Sequence, residues 1–241
     1  MVKDKESLGF VFDLDGTLIN STDVGSKVEE KIYQEFDIRI DDQKEKEIEK
    51  LTYEILHGEN RKNLGRKLMW EIFKVLGLSF FQRIRALFMA NKIFKEEIKK
   101  VSLYEGVREF FNYLDEENHK YVIATTSSRK EVDDRLRKFP QFYQKLEGKI
   151  ITRDDVENMK PAPDQINKAF KIMDVSPDRC IMIGDMHSDI LMGKKVGAIT
   201  VGVLTGVFDK EQFNEVQPDF IIESVADLSS IVDDIKARVK N

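Results

Sequence analysis

The chain has 241 residues, 41% hydrophobic and 34% charged, enough to bury a core as one large domain or a core domain with a smaller companion. Its 39 Lys and Arg against 44 Asp and Glu leave a formal net charge of −5, so no global basic field recruits nucleic acid. No apolar run approaches the roughly 18 residues of a membrane span, and the single cysteine, Cys180, excludes an intramolecular disulfide.

The first residues, "MVKDKES", lack the apolar centre of a signal peptide. The expectation is a cytoplasmic protein, monomer or homodimer, whose partner is a small molecule rather than nucleic acid or a membrane. "LGFVF" (8–12) is the first of several short apolar runs and reads as a strand buried on both faces. It runs directly into "DLDGT". Period-2 geometry sends Asp13 and Asp15 to the same side, and Gly16 permits a sharp turn. An isolated D-x-D-G could equally be a turn signal with a helix cap, so the other strand ends matter.

Residues 23 to about 100 contain no convincing strand. They offer four helices, at 23–36, 42–57, 61–76 and 80–99, with apolar residues at three- and four-residue spacing and Gly58 and Gly77 as helix ends. A helical block of that length is no simple crossover. It is expected to be an inserted domain spanning 21–100, with 1–20 and 101–241 forming the core, and with hinges near Asn20–Asp23 and Lys99–Glu105.

From there strand and helix alternate. Helices are expected at 107–118, 129–139, 163–173 and 187–197, between strands at 121–125, 149–152, 180–184, 200–204 and 220–222. This pattern predicts an α/β fold: a Rossmann-like, mostly parallel sheet with helices on both faces, plus the small all-helical domain. Cys180, inside "CIMIG", is expected to be a buried, inert thiol.

Ligands of open α/β sheets collect at the carboxyl ends of strands. After "YVIA" come the hydroxyls "TTSS" (125–128), a candidate anion cradle in which Ser127 or Ser128 caps the following helix. After "CIMI" comes "GDMHSD", with Asp185 at the strand end and Asp189 four residues on, where the pair shares one helix face. Two carboxylates about 4 Å apart repel by roughly 4 kcal/mol at an effective dielectric near 20. Asp13, Asp15, Asp185 and Asp189 in one pocket therefore call for a cation, and all-oxygen donors select a hard one, Mg²⁺. His187 alone makes a poor zinc site and is expected behind the acidic groups or at the surface. Lys160, in "NMKPAPD", stands on a turn stiffened by Pro161 and Pro163 and adds a fixed positive charge.

Asp13-Leu14-Asp15-Gly16-Thr17-Leu18, Thr125, Lys160-Pro161 and Gly184-Asp185 with Asp189 resemble the four ordered motifs of the haloacid dehalogenase-like hydrolases. The resemblance spans nearly the whole chain, and the helical block falls where phosphoglycolate-phosphatase-like members carry an inserted cap. It implies a phosphatase for a small phosphorylated metabolite such as phosphoglycolate or a sugar phosphate, working through an aspartyl-phosphate. Asp13 would be the nucleophile and Asp15 the general acid/base. Thr125, Thr126 and Lys160 would bind the phosphoryl group. Asp13, the backbone carbonyl of Asp15 and Asp185 would hold Mg²⁺, with Asp189 contacting it directly or through water. Asp15 favours phosphoryl chemistry over dehalogenation, since halide leaves without protonation. A phosphomutase resembling β-phosphoglucomutase and a non-catalytic phospho-ligand module are the competing readings, and a phosphonatase would need a Schiff-base lysine in the cap.

Specificity is expected from the cap, whose closure would exclude water. Arg61, Lys62, Arg66 and Lys67 are the candidate substrate contacts, against the plainer reading of a solvated basic helix face. Trp70, Phe73, Phe80 and Phe81 are expected to be packing residues. Asn20 stands where the family commonly has an aspartate, which bears on the hinge rather than on the chemistry.

Overall fold

The computed structural model describes residues 7–57 and 64–239. Two compact units result: Met1–Thr22 with Val101–Asn241, and Asp23–Lys100.

In the first unit, β1 (Gly9–Phe12) is followed by the short β2 (Ile19–Asn20). In the second unit come α1 (Thr22–Glu35, whose first residue belongs to the first unit), α2 (Asp42–His57), α3 (Leu64–Val75) and α4 (Phe80–Glu97). The chain then re-enters the first unit through β3 (Ser102–Leu103), α5 (Val107–Glu116), β4 (Lys120–Ala124), α6 (Arg129–Leu136), α7 (Pro140–Lys145) and β5 (Ile150–Ile151). It continues with α8 (Asp164–Met173), β6 (Cys180–Gly184), α9 (His187–Val196), β7 (Ile199–Val203), α10 (Lys210–Val216), β8 (Phe220–Ile222) and α11 (Leu228–Val239).

The six-stranded sheet has the order β5-β4-β1-β6-β7-β8, with every pairing parallel. All strands therefore end on one edge, and β1, at the centre, is fully buried. Alternation along β1 divides the core. Val11 packs with Val122, Met182, the α8 residues Ile166 and Ala169, and Met192 of α9. Phe10 and Phe12 face the other way and meet Phe110 of α5 edge-on, with centroids at 5.7 and 6.2 Å. Helices thus cover both faces, as a sheet with continuous apolar strands demands.

Local signals explain the helix bounds that position the site. α6 starts at Ser128, whose hydroxyl accepts from the Glu131 N–H while a Glu131 carboxylate oxygen accepts from the Ser128 N–H at 2.7 Å. α9 stops at Gly197 with φ 76°, a left-handed conformation that glycine reaches without a Cβ penalty.

Two parts of the core differ from the sequence-based expectation. The hinge segments are not plain linkers: β2 and β3 pair antiparallel, Ile19 opposite Leu103 and Asn20 opposite Ser102. In addition, α7, α10 and α11 form in stretches where no helix is expected.

Within the helical unit, Val28, Ile32, Phe73, Leu76, Leu78, Ala86, Ala90 and Ile93 form a core. Packing is thus correct for Phe73, whereas Phe80 and Phe81 are exposed, Phe81 at 81%. Trp70 is partly buried, meeting Phe80 edge-on at 5.7 Å beneath the Arg83 guanidinium. At the end of α4, Glu97 is 5% exposed and pairs with Lys100 at 2.8 Å, Lys31 at 3.3 Å and Lys27 at 3.6 Å. Gly58, Arg61 and Lys62 lie outside the described residues.

Candidate active site

β1 and β6 run side by side in register, Phe12 opposite Ile183, so Asp13 and Gly184, the last residue of β6, stand at one level. The Asp13 N–H donates to the Ile183 carbonyl at 2.8 Å and extends the ladder by one bond. β4 flanks β1 on the other side, with Ile123 opposite Phe12, which brings Thr125 to the same edge. Three strand ends therefore assemble Asp13, Thr125 and Asp185.

Lys160 reaches into this cluster from the turn before α8. Its ammonium, 1% exposed, lies 2.6 Å from Asp13 Oδ1 and 2.6 Å from Asp189 Oδ1. Burial pushes the lysine down, but Asp13 and Asp189 outweigh it and hold the ammonium above its ordinary value. A buried charge of this kind is tolerated because it is paired twice. For the carboxylates the balance goes the other way. Burial lifts Asp13 to about 7 against the pull of Lys160, with Asp189 and Asp15 adding to the rise. Burial, then Asp13 and Asp189, push Asp185 well above the usual carboxylate range, opposed by the Val207 N–H at 3.1 Å and by Lys160.

The cluster is thus short of positive charge. Among the described residues, no three His, Cys, Asp or Glu side chains are grouped to hold a metal unaided. Mg²⁺ seldom uses such a cage: one or two carboxylates suffice, and water and substrate oxygens complete its shell. Asp13 and Asp185, with the backbone carbonyl of Asp15, fit that requirement. Asp189, expected at the metal directly or through water, has protein partners at both oxygens. Oδ1 pairs with Lys160, and Oδ2 accepts from the Met186 N–H at 3.2 Å at the start of α9.

Glycines let the backbone close around these groups. A methyl at Gly16 or Gly206 would overlap the Asp185 carboxylate, and one at Gly184 would overlap Asp189. Thr205, before Gly206, donates its hydroxyl to the Gly16 carbonyl at 2.6 Å, and Tyr104 donates to the Thr205 carbonyl at 2.7 Å.

Asp15 is held differently from Asp13. Its Oδ2 accepts from Ser127 Oγ at 3.0 Å and from the Arg135 guanidinium at 2.6 Å, while Oδ1 is buried with no hydrogen-bond partner among the described residues. Thr125 is buried, and its hydroxyl accepts from the Ser127 N–H at 3.1 Å. Thr126 is exposed. Arg66 and Lys67 are exposed on α3. His187 is neither exposed nor among the acids: it stacks on Phe208 at 4.3 Å, and Nε2 meets the Gln212 carbonyl at 2.7 Å. Cys180 is a buried free thiol, pushed up by that burial.

Sequence reasoning missed several supporting residues. Gln165, fully buried on α8, donates to the Thr125 carbonyl at 2.8 Å and fixes the turn after β4. A polar residue beside Ile166 on a helix face was the available signal. Within "TTSS", read as an anion cradle with a cap at Ser127 or Ser128, the cap is Ser128, and the contact of Ser127 with Asp15 carries no sequence signal. Arg135 carried no signal, being one cation in a highly charged helix.

A family model described as "Haloacid dehalogenase-like hydrolase" matches residues 10–203, which includes every motif residue above. Pyrophosphatase PpaX of Listeria welshimeri is 30% identical over 226 residues, covering 93% of this chain and 95% of that protein. The PpaX of Anoxybacillus flavithermus is 37% identical over 134 residues, covering 55% of this chain and 60% of the relative. A hydrolase from Pseudomonas syringae has 25% identity and a TM-score of 0.68, over 95% of this chain and 99% of its own. The acids at the ends of β1 and β6, the family match and the near full-length relative lead to one assignment: this chain is an enzyme of the haloacid dehalogenase-like hydrolase family.

Proposed function

We propose that this hydrolase is a Mg²⁺-dependent phosphatase that cleaves a small phosphorylated anion through an aspartyl-phosphate on Asp13. The observation that carries the reading is the pairing of buried Asp13 with Lys160 at 2.6 Å, beside Asp185 on the neighbouring strand. A nucleophilic carboxylate needs positive charge around it before it can approach a phosphate. Mg²⁺ held by Asp13, the Asp15 carbonyl and Asp185 would supply most of that charge when bound.

A carboxylate oxygen of Asp13 attacks phosphorus, forming an O–P bond as the bond from phosphorus to the bridging oxygen of the leaving group breaks. Asp15 in its acid form gives that oxygen a proton. The Asp15 carboxylate then takes a proton from a water whose oxygen bonds to phosphorus, the Asp13–phosphorus bond breaks, and phosphate leaves with both residues restored. Lys160 and Thr125, with the backbone N–H of Thr126, would bind the peripheral oxygens, where transition-state charge accumulates. Asp189 would act through Lys160 by fixing its ammonium.

Pyrophosphate heads the substrate panel because the near full-length relative bears that name, followed by phosphoglycolate and sugar phosphates. The test is release of inorganic phosphate from the panel at millimolar Mg²⁺, with and without EDTA. Turnover abolished by EDTA and restored by Mg²⁺ is the expected result. No release from any substrate, or release indifferent to EDTA, overturns the reading.

A further inference from the structure

One buried cation in the core plays no part in the chemistry above. Arg135 stands in the last turn of α6, yet its side chain is only 6% exposed. Helical side chains lean toward the helix N-terminus, so a long one can reach back to the edge where the site lies. The guanidinium Nη1 donates to Asp15 Oδ2 at 2.6 Å and to Ser127 Oγ at 2.6 Å, and Ser127 Oγ donates to the same Oδ2 at 3.0 Å. The three groups close a triangle around one oxygen of Asp15. The other oxygen, Oδ1, is buried and has no hydrogen-bond partner among the described residues.

The structure assigns to Arg135 a positioning role: with Ser127 it ties down Oδ2 of Asp15, so that Oδ1 alone is left to exchange the proton. The inference rests on Asp15 being the general acid/base of the proposed phosphatase. A carboxyl group free to rotate would present either oxygen in many orientations. Proton transfer is efficient only from a donor held within hydrogen-bond reach of its target. Oδ1 can take or give a proton without disturbing the ion pair, whereas Oδ2 cannot. Arg135 touches neither substrate nor the reacting atoms in this scheme, and its effect passes through Asp15.

A positioning role predicts a dependence on the leaving group. p-Nitrophenolate departs without a proton, whereas phenolate needs one. The experiment measures kcat/KM and KM for p-nitrophenyl phosphate and phenyl phosphate with wild type, Arg135→Met, Arg135→Lys and Ser127→Ala. In Arg135→Met, the loss on phenyl phosphate should exceed that on p-nitrophenyl phosphate by about 10²-fold, within the span of general acid catalysis, with KM little changed. Arg135→Lys keeps a charge but not the planar fork, and should recover part of the gap. Ser127→Ala should open a smaller gap in the same direction, and it decides the matter if Arg135→Met does not fold. Equal losses on both esters, or no loss, overturn the positioning role and leave Arg135 as packing. A wild type that hydrolyses neither ester overturns the phosphatase reading itself, before any variant is made.

Discussion

Asp13 and Asp15 stand two residues apart and are held by opposite means. Asp13 is buried against an ammonium and other carboxylates, while Asp15 is tied at one oxygen by a guanidinium and a hydroxyl. Environments that separate two carboxylates in this way commonly divide the work between nucleophile and proton carrier. Asp13→Asn removes the attacking oxygen with little change of volume, so kcat should fall by at least about 10³-fold, as when other covalent nucleophiles are lost. The far-ultraviolet circular dichroism of the variant should match wild type. Gly206→Ala probes the metal side, because its methyl would overlap the Asp185 carboxylate. That variant should need a higher Mg²⁺ concentration for half-maximal activity, read from a Mg²⁺ titration of phosphate release; an unchanged midpoint would show that the Gly206 backbone does not confine Asp185.

The elements that carry these residues were legible to different degrees, for physical reasons. β1 and β6 announce themselves as apolar runs because both their faces are buried, and the acids that end them stand out against that background. Two-residue strands such as β2 and β3 are too short to show any period, and their pairing depends on residues more than eighty apart in sequence. The contacts of Arg135 and Ser127 with Asp15 are not legible because they join separate elements, and nothing in a charged helix marks which arginine turns inward. α6 itself depends on the Ser128–Glu131 capping box. Ser128→Ala should cost about 1 kcal/mol, a fall of roughly 2–4 °C in the thermal midpoint for a protein of this size. Differential scanning calorimetry reads this directly.

At the scale of the molecule, the sheet unit and the helical unit respond to different variables. Glu97 in the helical unit is held down to about 2 from an ordinary 4.5, chiefly by the hydrogen bond from Lys100 and then by Lys31, against its own burial. A depressed carboxyl stabilises the fold above its ordinary value and loses that contribution as pH falls toward the folded one. The stability gap between wild type and Glu97→Gln, from urea midpoints, should therefore be full above about pH 4.5 and close as pH approaches 2. The sheet unit should respond to the cation instead. Mg²⁺ at about a hundredfold excess over its Kd should add about 2.7 kcal/mol to stability, and Asp185→Asn should abolish that gain.

Rapid acid quench during turnover, followed by peptide mapping, tests the covalent step most directly. One phosphoryl group is expected on the peptide that carries Asp13 in wild type, and none in Asp13→Asn. A phosphoryl group on any other residue, or an Asp13→Asn enzyme that still turns over at the wild-type rate, would contradict that expectation.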